Sequence, residues 1–358
     1  MAPQRFLILA DGDFQPMTSK TANSVIRYLP ERVVGVVDHV AAGKTAKDVL
    51  GFGDGIPVVK DMDAGLALKP DAVLIGIAPM GGKLPEAWHA GLKKALESGC
   101  DIWSGLHTFL GDDPVLAEAA RKHGREIKDV RKPPKNLPVA EGFARLVEPM
   151  VLLTVGTDCN VGKMTCQLQL TRQLNEAKVR TRFVATGQTG IFIEGWGIGV
   201  DAVVADFIAG AAEWLVLEGA KNADIVMVEG QGSINHPGYS GVTLGLLHGS
   251  CPNALILCHQ ATRTHLGQYR AKDWVKVPPL SEYVKLYEHI GSSVFPTKVI
   301  GIYLNTFDMT DEDARKACEA ATKETGLPAT DTVRFPNDPA LLNATLEARE
   351  RYLKTGHC

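Results

Sequence analysis

The sequence has few of the features that mark secreted, metal-binding or membrane proteins. Its seven cysteines include no C-x-x-C pair, and an odd number in a chain of this size suits reduced thiols. No apolar stretch approaches the roughly 18 residues of a membrane helix, and the N-terminus lacks the apolar core of a signal peptide. These absences argue against a disulfide framework or a zinc site, and they predict a cytoplasmic protein with no membrane partner.

The chain also lacks an excess of charge of either sign. Its formal net charge is -3, with 22% charged and 45% hydrophobic residues, as in ordinary globular proteins. Because lysine and arginine are not in surplus, we expect no nucleic-acid partner. At 358 residues the chain exceeds the size at which single cores usually stop growing, so two domains are expected.

Both halves of the sequence alternate short apolar runs with helical patterns, which predicts an α/β fold with parallel sheets. We predict two doubly wound domains, a Rossmann-like domain at 1–135 and a P-loop NTPase-like domain at 136–358. The proline-rich segment 131–138 is typical of a linker between them. The predicted strands are 5–10, 33–38, 72–78 and 101–104, then 150–156, 180–186, 223–229, 254–259, 299–305 and 332–335.

The turn after the first predicted strand carries no G-x-G-x-x-G motif. Asp11 and Asp13 would repel a pyrophosphate there, so we expect no working NAD site. Asp38 ends the second strand where a ribose-binding acid would lie, although a helix cap or a turn is the favoured role. The segment 79–82 either lines a crevice or simply turns the chain.

The most informative motif is GTDCNVGKMT at 156–165, which follows an apolar run and opens an amphipathic segment. A strand, a glycine-bounded loop and a helix start make a cradle of N–H groups for phosphates, and the lysine adds a mobile cation. The predicted phosphate-binding residues are Gly156, Thr157, Asp158, Cys159, Asn160, Val161, Gly162, Lys163, Met164 and Thr165.

This loop departs from the pattern G-x-x-x-x-G-K-[ST] in two places. Five residues separate its glycines, and Met164 stands where a hydroxyl would hold Mg²⁺. Thr165 lies one residue later, about 100° further round a helix, so its contact with a metal is left open. Phosphate binding is therefore favoured over nucleotide hydrolysis, and no resident metal is expected.

Further candidates follow the predicted strands, where ligands of open α/β sheets bind. Glu229 is the strongest acidic candidate. His236 has a side chain suited to general-base work, although a loop histidine is more often a surface or hydrogen-bonded residue. Asp206 lies in an apolar stretch, where metal contact and helix capping both stay open. The candidate substrate contacts are Gln188, Thr189, Gln231 and Arg263. Their structural alternatives are turns and, for Arg263, a surface salt bridge.

Cys159 lies inside the phosphate loop just before a helix. This setting favours a thiolate, which could accept an acyl group. Packing of a small residue in a loop is the favoured interpretation.

The motifs at 156–165, 185–190 and 228–233 also carry a resemblance. The first and third resemble the phosphate loop and the acid-bearing motif of dethiobiotin synthetase. The whole chain resembles a bacterial family long catalogued as a domain of unknown function, with a Rossmann-like and a P-loop half. Members of that family include D-glutamate N-acetyltransferases, which act in D-amino-acid catabolism.

The resemblance implies acetyl-CoA as co-substrate and D-glutamate as acceptor, both small molecules. CoA phosphates need no Mg²⁺ hydroxyl, so Met164 fits this activity. In the mechanism we hypothesise, Arg263 or Gln188 holds a carboxylate, and Glu229 or His236 deprotonates the ammonium. We also expect a homo-oligomer, as is common for such proteins.

Two alternatives stay open. One is an ATP-dependent ligase or kinase of the dethiobiotin synthetase kind, with Mg²⁺ on Thr165, Asp206 and Glu229. The other is a sensor that binds a nucleotide or CoA without turnover.

Overall fold

In the computed structural model, residues 3–77, 84–267 and 274–358 are described, and the chain divides into two compact units. The first unit comprises Met1–Pro133 with Ile191–Gly195, and the second comprises Pro134–Gly190 with Trp196–Cys358. The domain limits that we predict, 1–135 and 136–358, stay a prediction. No helix in the described parts of the chain has the length and apolarity needed to cross a membrane.

The first unit contains one six-stranded parallel sheet. Its strands are β1 (Phe6–Leu9), β2 (Val33–Val37), β3 (Val58–Val59), β4 (Ala72–Ile75), β5 (Asp101–Ser104) and β6 (Ile127–Asp129). Its helices are α1 (Lys20–Tyr28), α2 (Ala46–Leu50), α3 (Met62–Leu66), α4 (His89–Glu97) and α5 (Pro114–His123). The strand order β3-β2-β1-β4-β5-β6 is that of a Rossmann-type sheet, with its topological switch point between β1 and β4.

The second unit contains another six-stranded parallel sheet. Its strands are β7 (Met150–Gly156), β8 (Thr181–Val184), β9 (Ile225–Val228), β10 (Ala254–Gln260), β11 (Lys298–Asn305) and β12 (Ala329–Thr330). The helices of this part of the chain are α6 (Lys163–Glu176), α7 (Gln188–Glu194), α8 (Ala205–Gly219), α9 (Ser240–Ser250), α10 (Leu280–Ser292), α11 (Asp311–Thr325) and α12 (Ala340–Thr355). The strand order is β12-β11-β10-β7-β9-β8.

The central strand β7 explains why this second sheet forms. All seven of its residues are buried, as expected of a parallel strand covered by helices on both faces. Val151, Leu153 and Val155 belong to one apolar cluster, whereas Met150 and Leu152 belong to another. Alternate side chains thus fill the cores on opposite faces, and each contributes roughly 1.5–3 kcal/mol of transfer free energy. The loop after β7 therefore starts from a firmly held strand end.

The predicted fold class is confirmed, but some strand predictions are wrong. No strand forms at 332–335; the final strand is β12, at Ala329–Thr330. The carboxylate of Asp331 accepts hydrogen bonds from the N–H groups of Val333 and Arg334, which turns the chain away from the sheet. The short strands β3 and β6 do not appear among the predicted strands. The segment 79–82 lies outside the described residues.

Candidate functional site

The loop at 156–165 connects β7 to α6 and shapes the start of that helix. Gly162 has a left-handed φ of 101°, and a Cβ atom there would lie 2.5 Å from the Tyr303 ring. Among the described residues, no side chain caps the N-terminus of α6. Its first N–H groups have no partner within the helix, so they and the helix dipole can attract an anion.

Lys163, the first residue of α6, places a cation inside this loop. Its side chain is buried, and its Nζ donates hydrogen bonds of 2.8 Å to the carbonyl oxygens of Asp158 and Gly232. Burial lowers the pKa of Lys163, although the nearby Cys159 and Asp158 oppose that shift. An ammonium has three N–H groups, so two can anchor it while the third reaches a bound anion.

Three buried side chains from distant parts of the sequence hold the start of the loop. The Tyr287 hydroxyl donates to the carbonyl of Gly156 at 2.7 Å, and the Tyr283 hydroxyl donates to that of Thr157 at 3.1 Å. The Thr157 hydroxyl also lies 2.8 Å from Nδ1 of His259. Burial, helped by the charge of Arg263, lowers the pKa of His259 to about 4, so this imidazole is neutral at physiological pH.

Sequence reasoning missed this support. Tyr283 and Tyr287 are four residues apart on α10, a spacing that indicates one helix face. No sequence pattern indicates that this helix face contacts the phosphate loop, which lies more than a hundred positions earlier in the chain.

Arg263 joins the same loop from the segment after β10. Its Nη1 donates at 2.8 Å both to Oδ2 of Asp158 and to the carbonyl oxygen of Cys159. The Asp158 carboxylate also accepts N–H bonds from Cys159 and Gly267. This guanidinium therefore already binds a carboxylate of the protein, and its role as a clamp for a substrate carboxylate stays a prediction.

Glu229 lies just past β9 and is buried beside Lys163. Its Oε2 accepts N–H bonds from Thr186 at 2.9 Å and Gly187 at 3.1 Å. Burial raises the pKa of Glu229 to about 7, even though these amides, Lys163 and Gln231 all act to lower it. A carboxyl group with a pKa near neutrality can both accept and return a proton at physiological pH.

His236 is buried next to Asp158. Its side chain is 1% exposed, and its Nε2 is 3.9 Å from Oδ1 of Asp158. Its Nδ1 accepts the N–H of Gly238 at 3.0 Å, so the neutral ring carries its proton on Nε2. In this tautomer Nε2 is a donor, which disfavours His236 as the general base and favours Glu229.

The other candidates lie in different settings. Gln188 and Thr189 are partly buried and begin α7, directly after the amides that bind Glu229. The Gln231 side chain donates to the Thr186 hydroxyl at 3.2 Å, so it supports the same turn. Asp206 is exposed in the first turn of α8, where a carboxylate interacts favourably with the helix dipole.

Asp158, Cys159 and His236 each offer a potential metal-ligand atom, and the three atoms lie within 4.8 Å of one another. The hydrogen bonds argue against a metal ion here. Both oxygens of Asp158 already accept hydrogen bonds, one of them from the cationic Arg263. A metal on Nε2 of His236 would require the proton to move to Nδ1, which instead accepts a backbone N–H. The donor set does not fit a resident metal.

The turn after β1 in the first unit has a different chemistry. Asp38 is buried, and its carboxylate accepts hydrogen bonds from the N–H groups of Gly12, Phe14 and Ala41. A carboxylate of the protein thus occupies the amides that an anionic ligand would need. Asp38 therefore stabilises turns of the backbone, which is the role that the sequence favours.

The chain matches two family models. The model described as "Domain of unknown function (DUF1611_C) P-loop domain" matches residues 138–341, and that described as "Domain of unknown function (DUF1611_N) Rossmann-like domain" matches residues 40–133. A DUF1611 family protein of known structure from Anabaena variabilis is 41% identical, with a TM-score of 0.90. That similarity covers 96% of this chain and 100% of the other.

Two curated relatives are both named D-glutamate N-acetyltransferase. The protein from Tritonibacter scottomollicae is 37% identical over 325 residues, which are 90% of this chain and 93% of the relative. The protein from a Pseudoalteromonas species is 38% identical over 271 residues, which are 75% of this chain and 80% of the relative.

Proposed function

This chain belongs to the DUF1611 family, and we propose that it is an N-acetyltransferase that moves the acetyl group of acetyl-CoA to the amine of D-glutamate. The names of the two relatives support the transfer of an acetyl group to D-glutamate, and acetyl-CoA as the donor is part of the proposal. The observation that carries the proposal is the buried Glu229, with a pKa raised to about 7, beside the lysine of a phosphate loop that leads into a helix without a side-chain cap. Such a reaction would serve D-amino-acid catabolism.

The phosphate loop would hold the phosphates of CoA. The uncapped start of α6 supplies N–H groups, and Lys163 supplies a cation that is anchored to two carbonyl oxygens. Neither contact requires Mg²⁺, which agrees with Met164 at the position where a metal-binding hydroxyl would stand. Glu229 and His236 both lie beside this loop. The flexible pantetheine arm of CoA must therefore turn back toward the loop to bring the acetyl group near them.

Glu229 would act as the general base. An ammonium with a pKa near 10 must lose a proton before its nitrogen can attack a thioester. The carboxylate of Glu229 would take that proton, and the N–H groups of Thr186 and Gly187 would keep it in place. Gln188, Thr189 and Gln231 lie on or beside the same turn and would contact the amino acid.

The test is thiol release from acetyl-CoA with D-glutamate, with L-glutamate and without an acceptor. We expect release that depends on D-glutamate. ATP hydrolysis with Mg²⁺, measured in parallel, separates the alternatives: ATP turnover without thiol release would favour the ligase or kinase reaction, with Thr165, Asp206 and Glu229 on the metal. Tight binding of acetyl-CoA or ATP with no turnover would instead identify a sensor.

A further inference from the structure

Cys159 is part of a cluster that neither the base nor the phosphate contacts explain. Its Sγ, a ring nitrogen of His236 and a carboxylate oxygen of Asp158 lie within 4.8 Å of one another. His236 and Asp158 are both buried, whereas Cys159 is partly exposed and can be reached by a ligand. A thiol, an imidazole and a carboxylate are the kinds of group that nucleophilic sites combine, and here they lie near one another.

Positive charge lies near this thiol. The start of α6 carries the positive end of a helix dipole, and Lys163 adds a buried ammonium in electrostatic contact with Cys159. The negative charge of Asp158 is offset by its ion pair with Arg263. The hydrogen bond at Nδ1 leaves the proton of the neutral His236 ring on Nε2, which lies 3.9 Å from Oδ1 of Asp158.

We propose that Cys159 accepts the acetyl group, so that the transfer passes through an acetyl thioester on the phosphate loop. This inference rests on the proposed function. In the first step the Cys159 thiolate attacks the carbonyl carbon of acetyl-CoA, and a new C–S bond forms. The C–S bond to CoA breaks, and CoA leaves as a thiolate that takes a proton from water. The N–H groups at the start of α6 can stabilise the oxyanion.

In the second step the ammonium of D-glutamate gives one proton to Glu229, and the free amine attacks the thioester. The C–N bond forms, the C–S bond to Cys159 breaks, and the nitrogen loses its second proton to water. The Cys159 thiolate is restored, and no oxidant or other reactant is required. Cys159 and Lys163 belong to the same anion-binding loop, and Glu229 interacts electrostatically with Lys163, so a two-step reaction lets the two anionic substrates use this loop in turn.

The first test is the intact mass of the wild-type protein after mixing with acetyl-CoA alone. We expect a gain of one acetyl group, mapped to the peptide containing Cys159, removed by neutral hydroxylamine and lost on addition of D-glutamate. Isotope exchange between acetyl-CoA and labelled CoA, without D-glutamate, measures the same step without any mutation. No acetylation and no exchange, in a protein that still releases thiol with D-glutamate, would overturn the proposal.

The second test compares Cys159→Ala and Cys159→Ser with Cys358→Ser, which removes the other partly exposed cysteine. We expect the Cys159 variants to lose acetylation and at least about 100-fold of kcat, and Cys358→Ser to keep both. Wild-type kcat in a folded Cys159→Ala protein would mean direct transfer and leave the proposed function intact. If the wild type itself released no thiol with D-glutamate, the proposed function would fail. Stoichiometric zinc in the purified protein would also contradict the proposal, because the metal would occupy the thiolate.

Discussion

The two units of this chain contain sheets of the same kind but differ at the first turn of each. After β1, the amides of Gly12 and Phe14 are bound by the buried carboxylate of Asp38. After β7, the loop leads into an uncapped helix and encloses the ammonium of Lys163. A parallel sheet thus provides a place for a ligand, while the residues of the turn decide whether an anion can bind there.

The largest effect that separates the two units is expected from their buried acids. We expect Glu229→Gln to lower kcat/KM by about 10²–10⁴-fold, because the amide cannot accept the proton of the ammonium. In the wild type, kcat/KM should rise with pH through about 7 as Glu229 ionises, and this limb should vanish in the variant. Asp38→Asn is the matched change in the first unit, and it should leave kcat/KM within about two-fold. Equal losses in the two variants would remove the distinction.

Removal of the loop cation should have the next largest effect. We expect Lys163→Met to weaken CoA binding by roughly 10–100-fold, the value of a charge-assisted hydrogen bond of about 1.5–3 kcal/mol. Isothermal titration calorimetry measures this change. Lys60→Met, at an exposed lysine that directly follows β3 in the first unit, is the control and should bind CoA normally. Normal binding by the Lys163 variant would place the CoA phosphates elsewhere.

The two turn glycines give a matched comparison of stability. Both have positive φ, but a Cβ on Gly162 would lie 2.5 Å from the Tyr303 ring, whereas one on Gly12 would lie 3.6 Å from His39. We expect Gly12→Ala to cost about 1–2 kcal/mol for the left-handed backbone, and Gly162→Ala to cost about 1–3 kcal/mol more for the added clash. Urea unfolding would test the order, and a smaller loss for Gly162→Ala would contradict it.

The smallest predicted effect concerns His259. Its pKa is about 4 in the folded state and near 6.5 when unfolded, so the unfolded chain binds a proton that the folded chain does not. Stability should therefore decrease as the pH falls from about 6.5 toward 4, by on the order of 2 kcal/mol from this residue. His259→Asn should reduce that slope in unfolding measured at several pH values. An unchanged slope would show that the imidazole is not held neutral.

Much of the fold could be predicted from sequence because its main strands are continuous apolar runs. The strand β7 has seven buried residues and was predicted at its observed limits. The strands β3 and β12 have two residues each, and β6 is a mixed segment with no fully buried residue, so no apolar run indicates any of them. Residues 332–335 have the composition of a strand, but the hydrogen bonds of Asp331 fold them into a turn.

The candidate site was predictable where its chemistry is local. The glycines and Lys163 of the phosphate loop are close in sequence, and Glu229 directly follows an apolar strand. The contacts of Tyr283 and Tyr287 with the loop span 126 and 131 positions, and the pair of Arg263 with Asp158 spans 105. Such contacts depend on how the helices pack, which no local pattern encodes.

We propose that the anion-binding turn of this protein is the one after β7 and not the one after β1. The most direct measurement is amide hydrogen exchange with and without acetyl-CoA. We predict slower exchange on binding in the peptide that covers residues 156–165, and unchanged exchange in the peptide that covers residues 11–14. Protection at 11–14 without protection at 156–165 would instead place the ligand in the first unit.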